Sequence, residues 1–281
     1  VARSDTMTTI TLAINTDLAR RILTDFLREE ITRTGLSRAV VGLSGGIDSA
    51  LACFLAAEAL GPQNVLAVRM PYRTSSPESF EHAQLVIDQL GVQSLTVPIT
   101  DMAEPLLNRF PEMNGVRRGN ILARLRMIVL YDQSAAFGGL VVGTGNKTEI
   151  MLGYSTLYGD SAHALNPLGD LYKTQVRQLS RALGVPGPIL DKAPTADLWP
   201  GQTDEGELGL TYARADQLLY LLVDQRYKPE ECVAAGFDEP FVRQVVDRLR
   251  RNHFKRVMPL VAKLSNRTVG YDFLYLRDWG T

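Results

Sequence analysis

The chain has 281 residues, 45% of them hydrophobic, which is enough for a large core and about two average domains in length, though one α/β domain also reaches this size. Its 30 basic and 31 acidic side chains give a formal net charge of −1, which argues against a protein that coats nucleic acid while permitting local basic clusters. Two cysteines, Cys53 and Cys232, exclude a disulfide framework and a cysteine metal cluster, and with no signal peptide or membrane-spanning run a cytoplasmic protein is expected.

Residues 1–6 are polar, precede an internal Met7 and read as a tag remnant; residues 1–13 as a whole are expected to be disordered or tag-derived. Over 14–30 the apolar series Leu18, Ile22, Leu23, Phe26, Leu27 has helical spacing, with charges on the other face. Residues 39–41 are an apolar run, Ser44-Gly45-Gly46 breaks it, and 47–60 read as a helix in which Cys53 is a core thiol. A glycine turn between a buried strand and a helix leaves backbone N–H groups facing outward at a helix N-terminus, a ready anion site. Gly45 and Gly46 permit close approach, and Ser44 and Ser49 add hydroxyl donors. Asp48 would repel a bound phosphate unless a divalent cation lies between them, so the stretch points to a polyphosphate with Mg²⁺; the plain alternative is a βα turn with helix-capping residues.

Further along, 64–70 read as a strand followed by a loop with Arg73, 77–90 as a helix stopped by Gly91, and 93–99 as a short strand. Asp101 is placed to cap the next short helix. Residues 110–119 read as an exposed loop, 120–137 as a long helix and 140–142 as a strand. The strand–helix alternation predicts an open parallel α/β sheet with helices on both faces, whose loops after Leu43, Met70 and Val142 converge on a ligand crevice. Later come a short helix at 147–152, a glycine-punctuated loop at 154–164, a helix ending near Leu183, a rigid Pro186–Pro188 connection, and a polar stretch at 193–209 whose length without periodicity suits a lid or a linker. Helices at 210–223 and 241–254 form a C-terminal helical extension, and 271–279 is an aromatic-rich tail. One domain over 1–281 is expected.

Asp48 and Glu149 each follow a strand-end turn, so they can face one crevice and, with phosphate oxygens and water, complete octahedral Mg²⁺; Glu149 is also explained as a first-turn residue favoured by the helix dipole. Phosphate-binding candidates are Lys173, Arg124, Arg126, Lys147, Arg73 and Arg177. Lys173 stands at a helix start, where the dipole does not favour a cation. Arg124 and Arg126 cannot share one helix direction. Thr195 and Asp197 lie in the lid-like stretch, as a phosphate contact or simply a capped turn. His82, His163 and His253 have no zinc spacing, and LSGGIDS fits neither the nucleophile elbow, the Walker loop nor the Rossmann fingerprint.

LSGGIDS resembles the signature loop of the N-type ATP pyrophosphatases, which cleave ATP to AMP and pyrophosphate. With RGNILARLRMIVLY, VVGTGNKTEIMLGYSTLYGD, NPLGDLYKTQVRQLSRALGVP, KAPTADLWPGQTDEGELGLTY and NHFKRVMP in that order, the chain is similar to the NAD synthetases over about 14–259. The resemblance implies an adenine-nucleotide-hydrolase-like, Rossmann-like fold, a homodimer, and ATP-dependent amidation of deamido-NAD⁺ by ammonia, with no nucleic-acid or membrane partner. It implies pyrophosphate held by Ser44, Gly45, Gly46 and Ser49, Mg²⁺ held by Asp48 and Glu149, and Lys173 and Thr195 on the ATP phosphates, with Asp48, Lys173 and Asp160 catalytic. Thr144 would lie beside the nucleotide, Arg73 would border the adenosine, and 191–209 would be the family's mobile lid over the site. Asn120, Arg124, Tyr154, Asp160, His253 and Lys255 would contact deamido-NAD⁺, partly across the dimer. Many ammonia-dependent members have Gly-Thr-Asp-His-Ala-Ala-Glu where this chain has Gly143 to Glu149 as GTGNKTE, a form closer to the glutamine-dependent branch, so ammonia arrives either free or from a separate glutaminase subunit. A GMP-synthetase-like or tRNA-modifying enzyme is the competing reading.

Overall fold

The computed structural model describes residues 10–195 and 203–272. The elements in chain order are α1 (Thr16–Arg33), β1 (Ala39–Gly42), α2 (Ile47–Leu60), β2 (Val65–Arg69), α3 (Pro77–Leu90), β3 (Gln93–Thr96), α4 (Thr100–Arg109), α5 (Gly115–Phe137) and β4 (Leu140–Val142). They continue with α6 (Lys147–Leu152), α7 (Lys173–Ala182), α8 (Gly187–Asp191), α9 (Asp204–Leu208), α10 (Tyr212–Leu219), α11 (Pro229–Ala234) and α12 (Glu239–Arg251). All strand pairs are parallel, in the order β3-β2-β1-β4. The chain winds outward from β1 through β2 to β3, then crosses to β4 on the other side of β1. That reversal opens a crevice beyond the C-terminal ends of β1 and β4. The backbone of Ala164 and Leu165 extends the sheet past β4, since Ala164 N–H donates to Val141 O at 2.9 Å and Gly143 N–H to Leu165 O at 2.8 Å.

The two-residue period of the strands divides the core. Ala39 and Val41 of β1, with Val65 and Ala67 of β2, face the layer of α1, α2 and α7. Val40, Leu66 and Val68 face the opposite layer, built on Ile99, Leu107, Leu122 and Val129 from and around α4 and α5. A sheet covered on both faces explains strands that read as unbroken apolar runs. Helix α2 is buried almost all round, as its nearly unbroken Ala/Leu/Phe/Cys sequence requires. Cys53 lies in it with no exposure, and burial pushes its thiol up to about 12, so it stays a neutral core group. A third cluster, with Leu152, Tyr172, Leu208, Leu218 and Val245, joins α6 to the C-terminal helices.

The structure departs from the sequence pattern in several places. Helix α5 starts at Gly115, not at 120, because the Asn114 side chain accepts the Arg117 N–H at 2.9 Å and caps the turn that its glycines disguise. Asp101 does not cap α4; it lies inside the first turn, with Ile99 at the cap position. The proline-rich connection at 186–188 contains the start of α8. The expected helix over 210–223 is α10 followed by a π-helical turn, Tyr220–Asp224. Leu18 and Ile22, assigned to the apolar face of α1, are exposed, while Leu27 and Ile31 carry its burial. Of the stretch 1–13, residues 1–9 fall outside the described residues. Ile10 and Leu12 pack on the third cluster, and the Gln178 amide donates to Leu12 O at 3.1 Å. Residues 273–281 of the tail and 196–202 of the lid-like stretch also fall outside the described residues. Among the described residues no helix is long and apolar enough to cross a membrane.

Leu55, fully buried in α2, fills the centre of the main core. Leu55→Ala is expected to lower the unfolding free energy by about 2–5 kcal/mol, read from the urea midpoint at unchanged slope.

Candidate active site

The turn after β1 is tied by its own serines. Ser44 N–H donates to Ser49 Oγ at 3.2 Å, and Ser49 Oγ donates to Gly46 O at 2.9 Å. Gly46 N–H donates to Ser44 Oγ at 3.3 Å. The two hydroxyl oxygens are 3.1 Å apart, and because the Ser49 proton is already committed, Ser44 is the donor between them. Gly46 takes the cap position of α2 without a side-chain cap, so the first N–H groups of that helix open onto the cleft. Gly45 has φ +80°, and a Cβ there would lie 2.1 Å from the Ser79 carbonyl oxygen. The glycine is what allows α3 to close against the turn.

The turn forms one wall of a cleft of about 780 Å³ at the topological switch point. Asp48, the second residue of α2, points across it. Its Oδ1 accepts from the Asn146 side chain at 2.9 Å, and its Oδ2 accepts from Lys173 Nζ at 2.5 Å. Lys173 Nζ also donates to Glu149 Oε1 at 3.0 Å, and the ring of Tyr212 lies 5.1 Å from it. Asn146 Oδ1 accepts the Glu149 N–H at 3.0 Å and so caps α6. Three residues from three helices therefore meet: Asp48 of α2, Glu149 of α6 and Lys173 of α7. Asn146 fastens the two acidic sides to each other.

Burial and charge act in opposite directions here. Lys173 is 2% exposed; burial works against its charge, yet Asp48 and Glu149 overcome it and hold the ammonium above its ordinary range. Burial pushes Glu149 up to about 7, with Lys173 opposing and Asp48 adding to the shift. Asp204, at the start of α9, is also pushed up by burial. It accepts from the Tyr212 hydroxyl at 3.1 Å, and Tyr154 divides its hydroxyl between Asp204 at 3.1 Å and Glu207 at 2.5 Å.

The far end of the cleft is built on the loop after α6. Thr156 donates its hydroxyl to Asn120 Oδ1 at 2.8 Å, and its N–H to Asp160 Oδ1 at 2.7 Å. Asp160 opens on the cleft, but crowding by protein desolvates it and raises its pKa, while the Thr156 N–H resists the shift. Lys255 Nζ donates to the carbonyls of Gly153 and Ser155 at 2.7 and 2.6 Å. Arg256 donates to Met151 O and Leu249 O, so this basic pair satisfies the ends of α6 and α12.

Of the residues the sequence singled out, Ser44, Gly46, Asp48, Ser49, Asn120, Thr144, Glu149, Tyr154, Asp160, Lys173, Thr195 and Lys255 line this cleft. Arg73, Arg124 and His253 are not among its lining residues. Arg73 pairs with Glu104 at 3.0 Å, and Arg124 donates to Leu157 O at 3.2 Å. Lys147 and Arg177 also turn elsewhere, to Asp224 at 2.8 Å and to Leu190 O at 3.2 Å. Arg126 lines the cleft while donating to Met70 O. Asp197 falls outside the described residues. The sequence reading missed Asn146, Tyr212 and Asp216. Asn146 has a legible signal, the Asn-x-x-Glu of a capping box; the other two have none of short range.

Residues 19–259 match the family model for NAD synthase. The chain belongs to the NAD synthase family. Within the family it is similar to the NH(3)-dependent NAD(+) synthetase of Trichlorobacter lovleyi, with 60% identity over 269 residues, 96% of this chain and 98% of that protein. Among solved structures it is similar to NMN synthetase from Francisella tularensis, with TM-score 0.80 and 32% identity over 90% of this chain and all (100%) of that one. It is also similar to NH3-dependent NAD synthetase from Campylobacter jejuni, with TM-score 0.77 and 31% identity over 89% of this chain and 100% of that one. The NAD synthase fold is thus the frame on which Asp48, Glu149 and Lys173 converge.

The two glycines of the turn separate by geometry. A Cβ at Gly46 would meet only Ser44 Oγ, at 3.4 Å. Gly45→Ala is expected to cost about 2 kcal/mol or more of stability, and Gly46→Ala no more than about 1 kcal/mol, as measured by urea unfolding of both variants.

Proposed function

We propose that this protein converts deamido-NAD⁺ to NAD⁺ with ATP and free ammonia, through an adenylated intermediate. The observation that carries the reading is the meeting of two carboxylates and a buried lysine beside the open N-terminus of α2. That arrangement suits a polyphosphate and a cation together. The nicotinate carboxylate oxygen attacks the α-phosphorus of ATP, the bond to the β-phosphate oxygen breaks, and pyrophosphate leaves. Ammonia then attacks the acyl carbon, the bond to AMP breaks, and a proton is released. A carboxylate is a poor acyl electrophile, and adenylation supplies its leaving group.

The chain's residues divide the work along the cleft. The α2 N-terminus and the Ser44–Ser49 turn receive the β- and γ-phosphates, and Lys173 counters the charge that grows as pyrophosphate departs. Thr144 and Thr195 border the nucleotide. Asn120, Tyr154, Asp160 and Lys255 border the nicotinate, where Asp160, raised by its surroundings, accepts the proton from the attacking nitrogen. Arg73 at the adenosine side, and Arg124 and His253 at the nicotinate side, serve from outside the cleft lining or across a dimer.

Asp48 and Glu149 fit Mg²⁺: both offer oxygen donors, and each carboxylate oxygen has lone pairs beyond its one hydrogen bond. Among the described residues no set of three or more histidine, cysteine or carboxylate side chains is placed to hold a metal; the cation's other ligands would be phosphate oxygens and water. Bound there, Mg²⁺ would neutralise phosphate charge. A homodimer is favoured by the exposed apolar residues Met102, Leu106 and Phe110 on and after α4 and Val116, Ile128 and Tyr131 on α5. The proposal includes a cytoplasmic location, where its co-substrate ATP is at hand.

The purified chain, given ATP, Mg²⁺ and deamido-NAD⁺, is expected to form NAD⁺ with ammonium and not with glutamine; NAD⁺ formation is read by chromatography. Nicotinate mononucleotide belongs in the same assay, because the similarity to an enzyme named NMN synthetase makes it the competing acceptor. Asp48→Asn is expected to lower pyrophosphate release by about 100-fold or more, with the oligomeric state retained on size-exclusion chromatography. Glu149 must be ionised to hold a cation, and burial places its titration at about 7. The Mg²⁺ concentration for half-maximal rate should therefore rise as pH falls through about 7, and Glu149→Gln should flatten that dependence.

A further inference from the structure

Asp216, on α10, is a buried carboxylate that none of these steps uses. Its side chain has no exposure, and no cation bonds to it directly among the described residues. Its Oδ1 accepts the Thr148 hydroxyl at 2.6 Å, and its Oδ2 accepts the Thr174 backbone N–H at 2.8 Å. Thr148 is itself fully buried, and its Oγ1 accepts the Lys173 backbone N–H at 3.0 Å. The first two N–H groups of α7 are thus satisfied from α6 and α10, not by a local cap. An isolated carboxylate in this position costs desolvation, and burial does raise its pKa. A cheaper group would suffice for capping alone, since serine, threonine or asparagine side chains cap helices well.

What distinguishes the position is the residue it anchors. Lys173 is the first residue of α7, where the helix dipole repels a cation. A negative group at that end offsets the dipole and fixes the root of the side chain. Helix α10 also reaches the other end of the same side chain, through the Tyr212 ring beside Nζ. Tyr212 in turn joins α9, its hydroxyl to Asp204 and its N–H to Glu205 at 2.8 Å.

We propose that Asp216 is a positioning residue for Lys173: through Thr148 Oγ1 and the Thr174 N–H it fixes the start of α7, and so holds Nζ between Asp48 and Glu149. The inference rests on the function proposed above for Lys173. Because α10 follows the 191–209 stretch in the chain, the same contacts make the lysine's place depend on how α9 and α10 are seated.

The test compares Asp216→Asn, Thr148→Val and Thr148→Ser, each with native Lys173 and with Lys173→Met. Asp216→Asn and Thr148→Val are expected to lower kcat by about 10–100-fold, with KM for deamido-NAD⁺ within about twofold of the parent. Thr148→Ser, which keeps the hydroxyl, restores most of the rate. The double variant Asp216→Asn/Thr148→Val is no slower than the slower single one. In the Lys173→Met background neither substitution lowers the residual rate further. Parental kcat in both Asp216→Asn and Thr148→Val, or the same fold-loss with and without Lys173, overturns the proposal. Should Asp216→Asn fail to fold, Thr148→Val and its serine rescue decide the matter. Calorimetric binding of MgATP separates the two readings. If the parent makes no NAD⁺, the proposed function fails, and positioning is judged by affinity: about tenfold weaker MgATP binding in Thr148→Val, recovered in Thr148→Ser, supports it, and unchanged binding overturns it.

Discussion

A single ammonium, that of Lys173, holds the catalytic face together. It is buried between Asp48 and Glu149, and each of the three charges would be untenable there alone. The lysine stays protonated because two carboxylates outweigh its desolvation; Glu149 titrates near 7 because its burial outweighs the lysine's pull, with the Asp48 charge adding to the shift. Such a triad is poised. With every member ionised it carries one net negative charge, so it draws a cation, while the lysine and the α2 N-terminus draw an anion. One small site thereby offers opposite charges side by side, as the proposed binding of a polyphosphate with its cation requires.

The fold supplies this meeting through the order of its strands. Helices α2 and α6 follow β1 and β4, the two strands that flank the reversal of the sheet, so Asp48 and Glu149 enter one crevice from neighbouring strand ends. Lys173 comes from a helix on the same layer as α2, packed through Val176 and Leu179 into the main core. The third cluster adjoins the lysine rather than the sheet. Tyr172, next to Lys173, is buried in that cluster with Leu152 of α6 and the C-terminal helices. The C-terminal extension is therefore part of the site's scaffold.

The sequence makes the sheet and its crevice legible because their signals are local. Apolar runs at 39–41 and 140–142, the Ser-Gly-Gly break and the helix periodicities each lie within a few residues, and LSGGIDS marks the glycine turn that opens the α2 N-terminus. The joins that aim the side chains are not local. Asn146 reaches Asp48 across 98 positions, Thr148 reaches Asp216 across 68, and Lys173 reaches Asp48 across 125. No periodicity encodes such pairs, and Asp216 in the sequence is one more charge on a helix. Lys173 and Glu149 stood out by their places at helix starts and the resemblance to NAD synthetases gave them roles, but neither could supply the contacts of Arg73 and Lys147, whose partners Glu104 and Asp224 are likewise distant in sequence. A basic residue near a phosphate site is ambiguous until its carboxylates are located.

The serines of the turn illustrate how hydroxyls near an anion site serve two ends. In sequence, Ser44 and Ser49 read as donors to a ligand. In the fold, each spends its proton inside the turn, Ser49 on Gly46 O and Ser44 on Ser49. These bonds hold the glycine turn in the shape that opens the α2 N–H groups, so little ordering is left to accompany anion binding. A rotating hydroxyl can switch from its neighbour to a phosphate oxygen, whereas the backbone N–H groups cannot turn away. The durable part of the cradle is thus the main chain, shaped by Gly45 against Ser79, and the serines first build the cradle and only then contribute to its grip.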